Sequence, residues 1–365
     1  MIFNVLTRDS ADAEAATRVA VKWVLALSLL FPFFADAEVL DTQRFEAVTI
    51  DGDRDLTVTD GGFVEPSEGT AVMVADTGTF RLEGGTLLSE RGLGLGVAAT
   101  ANSRVVIDRG MITAAGLGGI DLHDNASLRI MGGQIDSRTL GDSNVFDYFG
   151  GVRIGDTASA TMTGGRIETL GGAGIRVQDN GRLNLEGGTV ISRRFFNGTS
   201  ASNLPAVVAA GSAYVEIRGG TLEGNTVAAA VDSGTLVISG GMIQPRNSRL
   251  GLTAIEQAVL EFRVLPGVLN IGDTYESLMA GEVIRLAEAY PAFYSHQPVS
   301  LAVTGVLADG NPLEVGLGNS AEFIPPEFNR DYPTGEIRFV VVPEPSMVVG
   351  LGIVTGIAVT RRRSR

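Results

Sequence analysis

The 365-residue chain contains no cysteine, which excludes disulfides and thiolate metal sites alike. Lysine is almost missing too, because Lys22 is the only one. His123 and His296 are the only histidines; they are far apart and have no second histidine or cysteine at metal-ligand spacing. Aromatic residues make up 6% of the chain against 48 glycines, a balance that points to repeated tight turns and not to a helical bundle. Positive charge is scarce. Between Glu38 and Pro345 there are 21 arginines and 38 acidic residues, a net charge of −17, which argues against nucleic acid or an anionic lipid surface as partner. The two apolar runs, Val24 to Phe34 and Met347 to Thr360, both fall short of the roughly 20 residues of an ordinary membrane-spanning helix.

The middle of the chain is a repeat. Segments ending in Gly-Gly or a degenerate form of it recur: LTVTDG, FRLEGG, VVIDRG, LRIMGG, ATMTGG, LNLEGG, VEIRGG and LVISGG. Their anchors are Asp60, Gly84, Arg109, Gly132, Gly164, Gly187, Gly219 and Gly240, at intervals of 24, 25, 23, 32, 23, 32 and 21 residues. Apolar residues stand two and four before each anchor (Ile130 and Leu128, for example) and three after it (Ile135). A further pair lies twelve and ten before, as in Ile120/Leu122 and Val152/Ile154, weakening to Ala228/Ala230. Three short period-2 stretches per repeat of about 23 residues predict one coil of a right-handed parallel β-helix. With a degenerate ninth coil through Leu260 and Phe262, the expected body is all-β and about nine coils long, over residues 38–268. Coils stack at about 4.8 Å, so a corner needing positive φ or close backbone approach needs it in every coil, which accounts for the glycines. Residues 269–341 break the repeat and predict a small β-rich cap, with a short helix over Glu276 to Ala289.

Eight residues before the anchor stand Asp76, Asp124, Asp156, Asp179 and Asp232, all in turn-forming contexts. This ladder reads either as a calcium-holding column or as aspartates that accept backbone N–H bonds in their own turns, and the turn reading is the stronger. Both 32-residue intervals carry an insertion at the same point of the coil. The first holds Asp142, Asp147, Tyr148 and Phe149, the second Arg193, Arg194, Phe195 and Phe196. They are expected to project from one edge, two coils or about 10 Å apart. Aromatic rings among Arg and Asp suit sugar recognition; packing of the same residues on each other, Phe on Tyr and Arg against Asp, to cover the edge of the stack is the stronger reading. No residue is singled out as catalytic and no metal site is expected.

The two ends carry an address. Ahead of Val24–Phe34 lie Arg18 and Lys22, and behind it Ala35-Asp36-Ala37 offers a small-x-small cleavage site. Residues 1–37 therefore read as a signal peptide for Sec-type export. At the other end, Val342, Pro343, Glu344, Pro345 and Ser346 precede the uncharged run 347–360, and Arg361, Arg362 and Arg363 follow it. Prolines stiffen the first part, and a short apolar span with a cationic end obeys the positive-inside rule. This three-part tail, residues 342–365, resembles the PEP-CTERM sorting signal of Gram-negative bacteria. The resemblance implies an exosortase-like processing enzyme as partner, transient anchoring in the inner membrane, and delivery to the cell envelope or extracellular matrix.

These observations together predict an exported β-helix protein with a structural or adhesive role, in contact with extracellular polysaccharide. A polysaccharide lyase or glycoside hydrolase on the same scaffold is the rival reading, since β-helix architecture alone does not decide function.

Overall fold

The computed structural model describes residues 37–90, 94–138, 150–193, 205–225, 227–246, 251–255, 257–294, 300–318 and 334–344. Glu38 opens the compact unit that holds the rest of the chain. The described residues form an all-β fold built on long parallel sheets.

Strand Asp55–Val58 pairs in parallel with Thr79–Ser89, Arg104–Ala115 follows, and each strand thereafter pairs with its counterpart one repeat later. Three such stacks run through the repeats. Period-2 alternation decides which side chains they bury. The column Leu56, Phe80, Val105, Leu128, Ala160, Leu183, Val215, Leu236 and Leu260 is in register from strand to strand and buried throughout. A second stack begins at Val48–Ile50 and climbs through Gly118–Leu122, Val152–Ile154, Ile175–Val177 and Val207–Ala209 to Leu252–Ala254. The third carries Gln134–Arg138, Arg166–Leu170 and Thr189–Arg193.

The corner between the first and third stacks shows what the paired glycines do. At Gly164 a β-carbon would fall inside contact distance of the carbonyl oxygen of Met131 in the preceding coil. Gly165 lies at φ +81°. The first glycine thus permits close approach and the second the left-handed turn.

One register differs from the sequence reading. Val207 aligns with Ala229 and Ala209 with Val231, so the inward pair of that coil is Ala229/Val231 and not Ala228/Ala230. The 21-residue interval is short by one residue between this strand and the anchor, and counting back from the glycines therefore lands one place early.

The region after the repeat closes the stack and also lengthens it. Gly267–Ile271 and Thr274–Leu278 form an antiparallel pair, as do Ser300–Val306 and Pro312–Gly318. Yet Pro312–Gly318 also adds in parallel to Leu252–Ala254, and Glu336–Val341 runs parallel to Val259–Val264 over six residue pairs. Phe262 and Phe339 stack across that last join at 5.0 Å. The turn at Asp309 latches back onto the repeat, its Oδ2 accepting the Gly241 N–H at 2.9 Å. The expected helix over 276–289 shrinks to Leu286–Ala289. Gly281 at φ +90° turns the chain, and β-branched Val283 and Ile284 continue it as strand against Glu336–Val341.

Candidate functional site

A polar arrangement that includes a histidine lies on the second stack, where Asp121, Arg153 and Arg176 are in register on successive coils. Their neighbours in sequence (Ile120, Leu122, Val152, Ile154) are buried in the core, which forces these three side chains outward. Asp121 is nonetheless buried, because the Arg153 guanidinium lies over it. Nε reaches Oδ1 and Nη2 reaches Oδ2, each at 2.6 Å, a bidentate fork of the strong charge-assisted kind.

His123 closes the group. Its Nδ1 stands 3.1 Å from Asp156 Oδ2, and its Nε2 stands 3.3 Å from Asp121 Oδ1 and touches Arg153 Nη2. A guanidinium nitrogen only donates. The tautomer that suits Asp156 and Arg153 therefore carries its proton on Nδ1, donates it to Asp156 and accepts from Arg153 at Nε2, which leaves Asp121 Oδ1 bonded to Arg153 and not to the ring. Asp156 Oδ2 also accepts the Asp124 N–H at 3.1 Å. That backbone bond, and then His123, hold the Asp156 carboxyl below its usual range. The network extends one coil further: Asp179 Oδ2 accepts from the Asp156 N–H at 3.4 Å and from Gln178 Nε2 at 3.3 Å, while Gln178 Oε1 accepts from Arg176 Nε at 3.3 Å.

The aspartate ladder therefore has a definite job. Asp76, Asp124, Asp156 and Asp179 all sit in left-handed backbone, with Gly52, Ala101 and Gly211 filling the same column. Each of the four carboxylates accepts the N–H of the column residue one coil back: Gly52, Ala101, Asp124 and Asp156. The donors belong to the neighbouring coil, not to the aspartate's own turn as the sequence suggested. Asp232 stands one place off this column. Because of the one-residue register difference, Ser233 takes its place, and its Oγ accepts the Gly211 N–H at 2.9 Å.

The insertion residues 139–149 and 194–204, with Asp142, Asp147, Tyr148, Phe149, Arg194, Phe195 and Phe196, lie outside the described residues. The strands they lead into are placed. Val152 and Val207 flank Ile175 in register, two strand spacings or about 10 Å apart, and Arg153 directly follows Val152. The first insertion thus leads into the strand that carries Arg153, and the second into a strand two spacings further on. Arg193 is already engaged: its Nε contacts Glu168 Oε1, and Arg166 Nε donates to the other oxygen at 3.1 Å. Burial pushes the Glu168 carboxyl up, but the two guanidiniums outweigh it and the net shift is downward.

Of the terminal signals, Ala35, Pro345, Ser346 and Arg361 to Arg363 lie outside the described residues. Ala37 begins the strand Ala37–Leu40. Val342 follows the last described strand, its N–H bonding Val264 O at 2.9 Å, and Pro343 and Glu344 are exposed. Among the described residues there is no group of three or more His, Asp and Glu placed to hold a metal, and no helix long and apolar enough to cross a membrane. No protein-family model, curated protein or solved structure matches this chain.

Asp121 and Arg153 were missed by reading motifs. The signal that finds them is positional: both stand eleven residues before their anchors, so stacking places opposite charges side by side on the outer face.

Proposed function

We propose that this chain is an exported cell-envelope or extracellular protein of a Gram-negative bacterium, a right-handed parallel β-helix of about nine coils with a structural or adhesive role. In this reading Sec-type export removes residues 1–37. The 342–365 tail anchors the chain in the inner membrane until an exosortase-like enzyme cuts it, and the body then contacts extracellular polysaccharide, as in a biofilm matrix. The observation that carries the reading is the use made of the outward polar side chains. Asp76, Asp124, Asp156, Asp179, Glu168 and Asp121 are all tied to donors on a neighbouring coil, an investment in stiffness along the stack. Exposure of Pro343 and Glu344 directly after the last strand suits a processing enzyme that must reach them.

Polysaccharide contact is assigned to the part of the second stack that the insertions lead into, the strands Val152–Ile154 and Val207–Ala209. The Arg and Asp residues of the insertions suit sugar hydroxyls, and their aromatic residues suit sugar faces. The test is co-sedimentation of the protein with acidic and neutral polysaccharides, for the native chain and for the combined Tyr148→Ala, Arg194→Ala and Phe195→Ala variant. Retention of the native protein and loss in the variant, at unchanged thermal stability, is the expected result. Unchanged retention with lowered stability would reduce the insertions to packing. The Asp121–His123–Asp156 arrangement is the observation that favours the enzymatic rival. New reducing ends or unsaturated products in the same incubations would establish it.

A further inference from the structure

The last strand, Glu336–Val341, delivers the chain to its tail at a defined place on the body, and four exposed hydrophobic side chains stand around that place. Val341 pairs with Val264, and Val342 donates to Val264 O. On one side of this exit, Leu265 N–H bonds Val306 O, and Val268 lies beside Gly305, where an added β-carbon would stand 3.9 Å from the Val268 carbonyl. On the other side the turn from Met279 to Glu282 is bonded to Val341 through Gly281 N–H and Glu282 O, and Val283 pairs with Val340. Val306, Val268, Val283 and Met279 expose 42%, 60%, 51% and 67% of their surface. They are four of the nine large exposed hydrophobics among the described residues, gathered at one end across about four strand spacings.

The occupant follows from chain length. Between exposed Glu344 and Met347, where the uncharged run begins, stand only Pro345 and Ser346. Three residue steps reach about 10 Å at most. If the run is in a bilayer, the exit cannot stand further from that bilayer than this spacer allows. We infer that the apolar rim formed by Val306, Val268, Met279 and Val283 rests on the lipid surface beside the chain's own tail, so that the body is held end-on against the membrane until the tail is cut. The inference rests on the proposed membrane insertion of residues 347–360. It adds to that proposal a docking surface on the folded body and an orientation for it: the N-terminal coils, with Phe45, point away from the lipid.

The absence of cysteine makes a direct test available. Single substitutions Val306→Cys, Met279→Cys, Phe45→Cys and Val354→Cys in the full chain each accept one fluorophore, and the protein is reconstituted in phosphatidylcholine nanodiscs. Quenching by spin labels carried on the lipid headgroup is expected at positions 306 and 279 and not at 45. Quenching of position 354 by labels deep in the acyl chains tests the tail separately: its absence would remove the membrane reading itself, whereas a buried 354 with unquenched 306 and 279 would overturn the docking surface alone. A second version carries a flexible 20-residue insertion between Val342 and Pro343. Quenching at 306 that persists with this long tether supports attraction by the apolar rim, and its disappearance shows that the short spacer alone held the body close.

Discussion

Ala101 places a β-carbon in left-handed backbone (φ 57°), in a column where Gly52 and Gly211 do without one and Asp76, Asp124, Asp156 and Asp179 use their carboxylates to bond the coil below. Alanine has neither excuse. Left-handed backbone costs an L-residue about 1–2 kcal/mol, and replacing alanine by glycine returns about 0.4–1 kcal/mol of entropy to the unfolded chain. Ala101→Gly is therefore expected to stabilise the fold by about 0.5–1 kcal/mol, read as a rise in the urea midpoint; a fall of the same size would show that the strain is not felt. This column also marks how far single residues were legible. Aspartate in a DTG or DNA context announces a turn, but its partner is the N–H of a residue 23 to 32 positions away, visible only once the coils are stacked. Asp232 and Ser233 make the same point: local sequence names the aspartate, whereas register selects the serine.

At the scale of strands and corners, the inward columns were read from the sequence almost residue for residue, because period-2 alternation and the glycine anchor each constrain them. The closing region was read less well. Two of its strands join the repeat across 65 and 77 residues, Leu252 with Leu317 and Val264 with Val341, and no periodicity encodes such joins. Carboxylates set the behaviour of the inter-coil contacts. Glu168, despite the upward push of burial, is held down by Arg193 and Arg166, and Asp156 is held down by the Asp124 N–H and His123. A carboxyl with a lowered folded-state pKa favours folding in its ionised form, so its contribution is complete above the unfolded value and disappears as pH falls through the folded one. With ordinary values of 4.5 for Glu and 3.8 for Asp, stability should be flat near neutrality and decline below those values. Urea midpoints at pH 6 and pH 3 measure this, and Glu168→Gln should shrink the difference between them. An unchanged difference would mean that Glu168 is not among the groups responsible.

For the molecule as a whole, a stack of coils is coupled mainly between neighbours, so a defect at an end should stay at that end. The terminal join carries an ion-pair network and a ring stack of its own. Glu261, almost buried, accepts from Arg263 Nε at 3.1 Å and from Arg338 Nε at 2.9 Å and Nη2 at 2.7 Å. Arg263 reaches on to Glu216 Oε1 at 3.0 Å, across Val237, which lies between Glu216 and Glu261 in the column of in-register residues. Phe339 stacks on Phe262 beneath this network, and both rings are fully buried. An end strand otherwise has a neighbour on one side only and is the part of a sheet most open to fraying or to pairing with another chain. Here Val283–Arg285 also covers its outer edge. Removing the ring tests whether this clasp governs the end. Phe339→Ala should cost about 3–5 kcal/mol locally, the usual range for a buried phenylalanine. Because the loss falls on the last join, it should appear as early hydrogen exchange of the amides from Glu336 to Val341, with the amides of Val105 and Val215 in the middle coils keeping their native protection. Phe80→Ala, within the repeat, should instead lower protection in the coils around it. Were Phe339→Ala to expose the middle coils together with the last strand, the stack would be unfolding as one unit, and the last strand would be part of a global core instead of a separable gate above the tail.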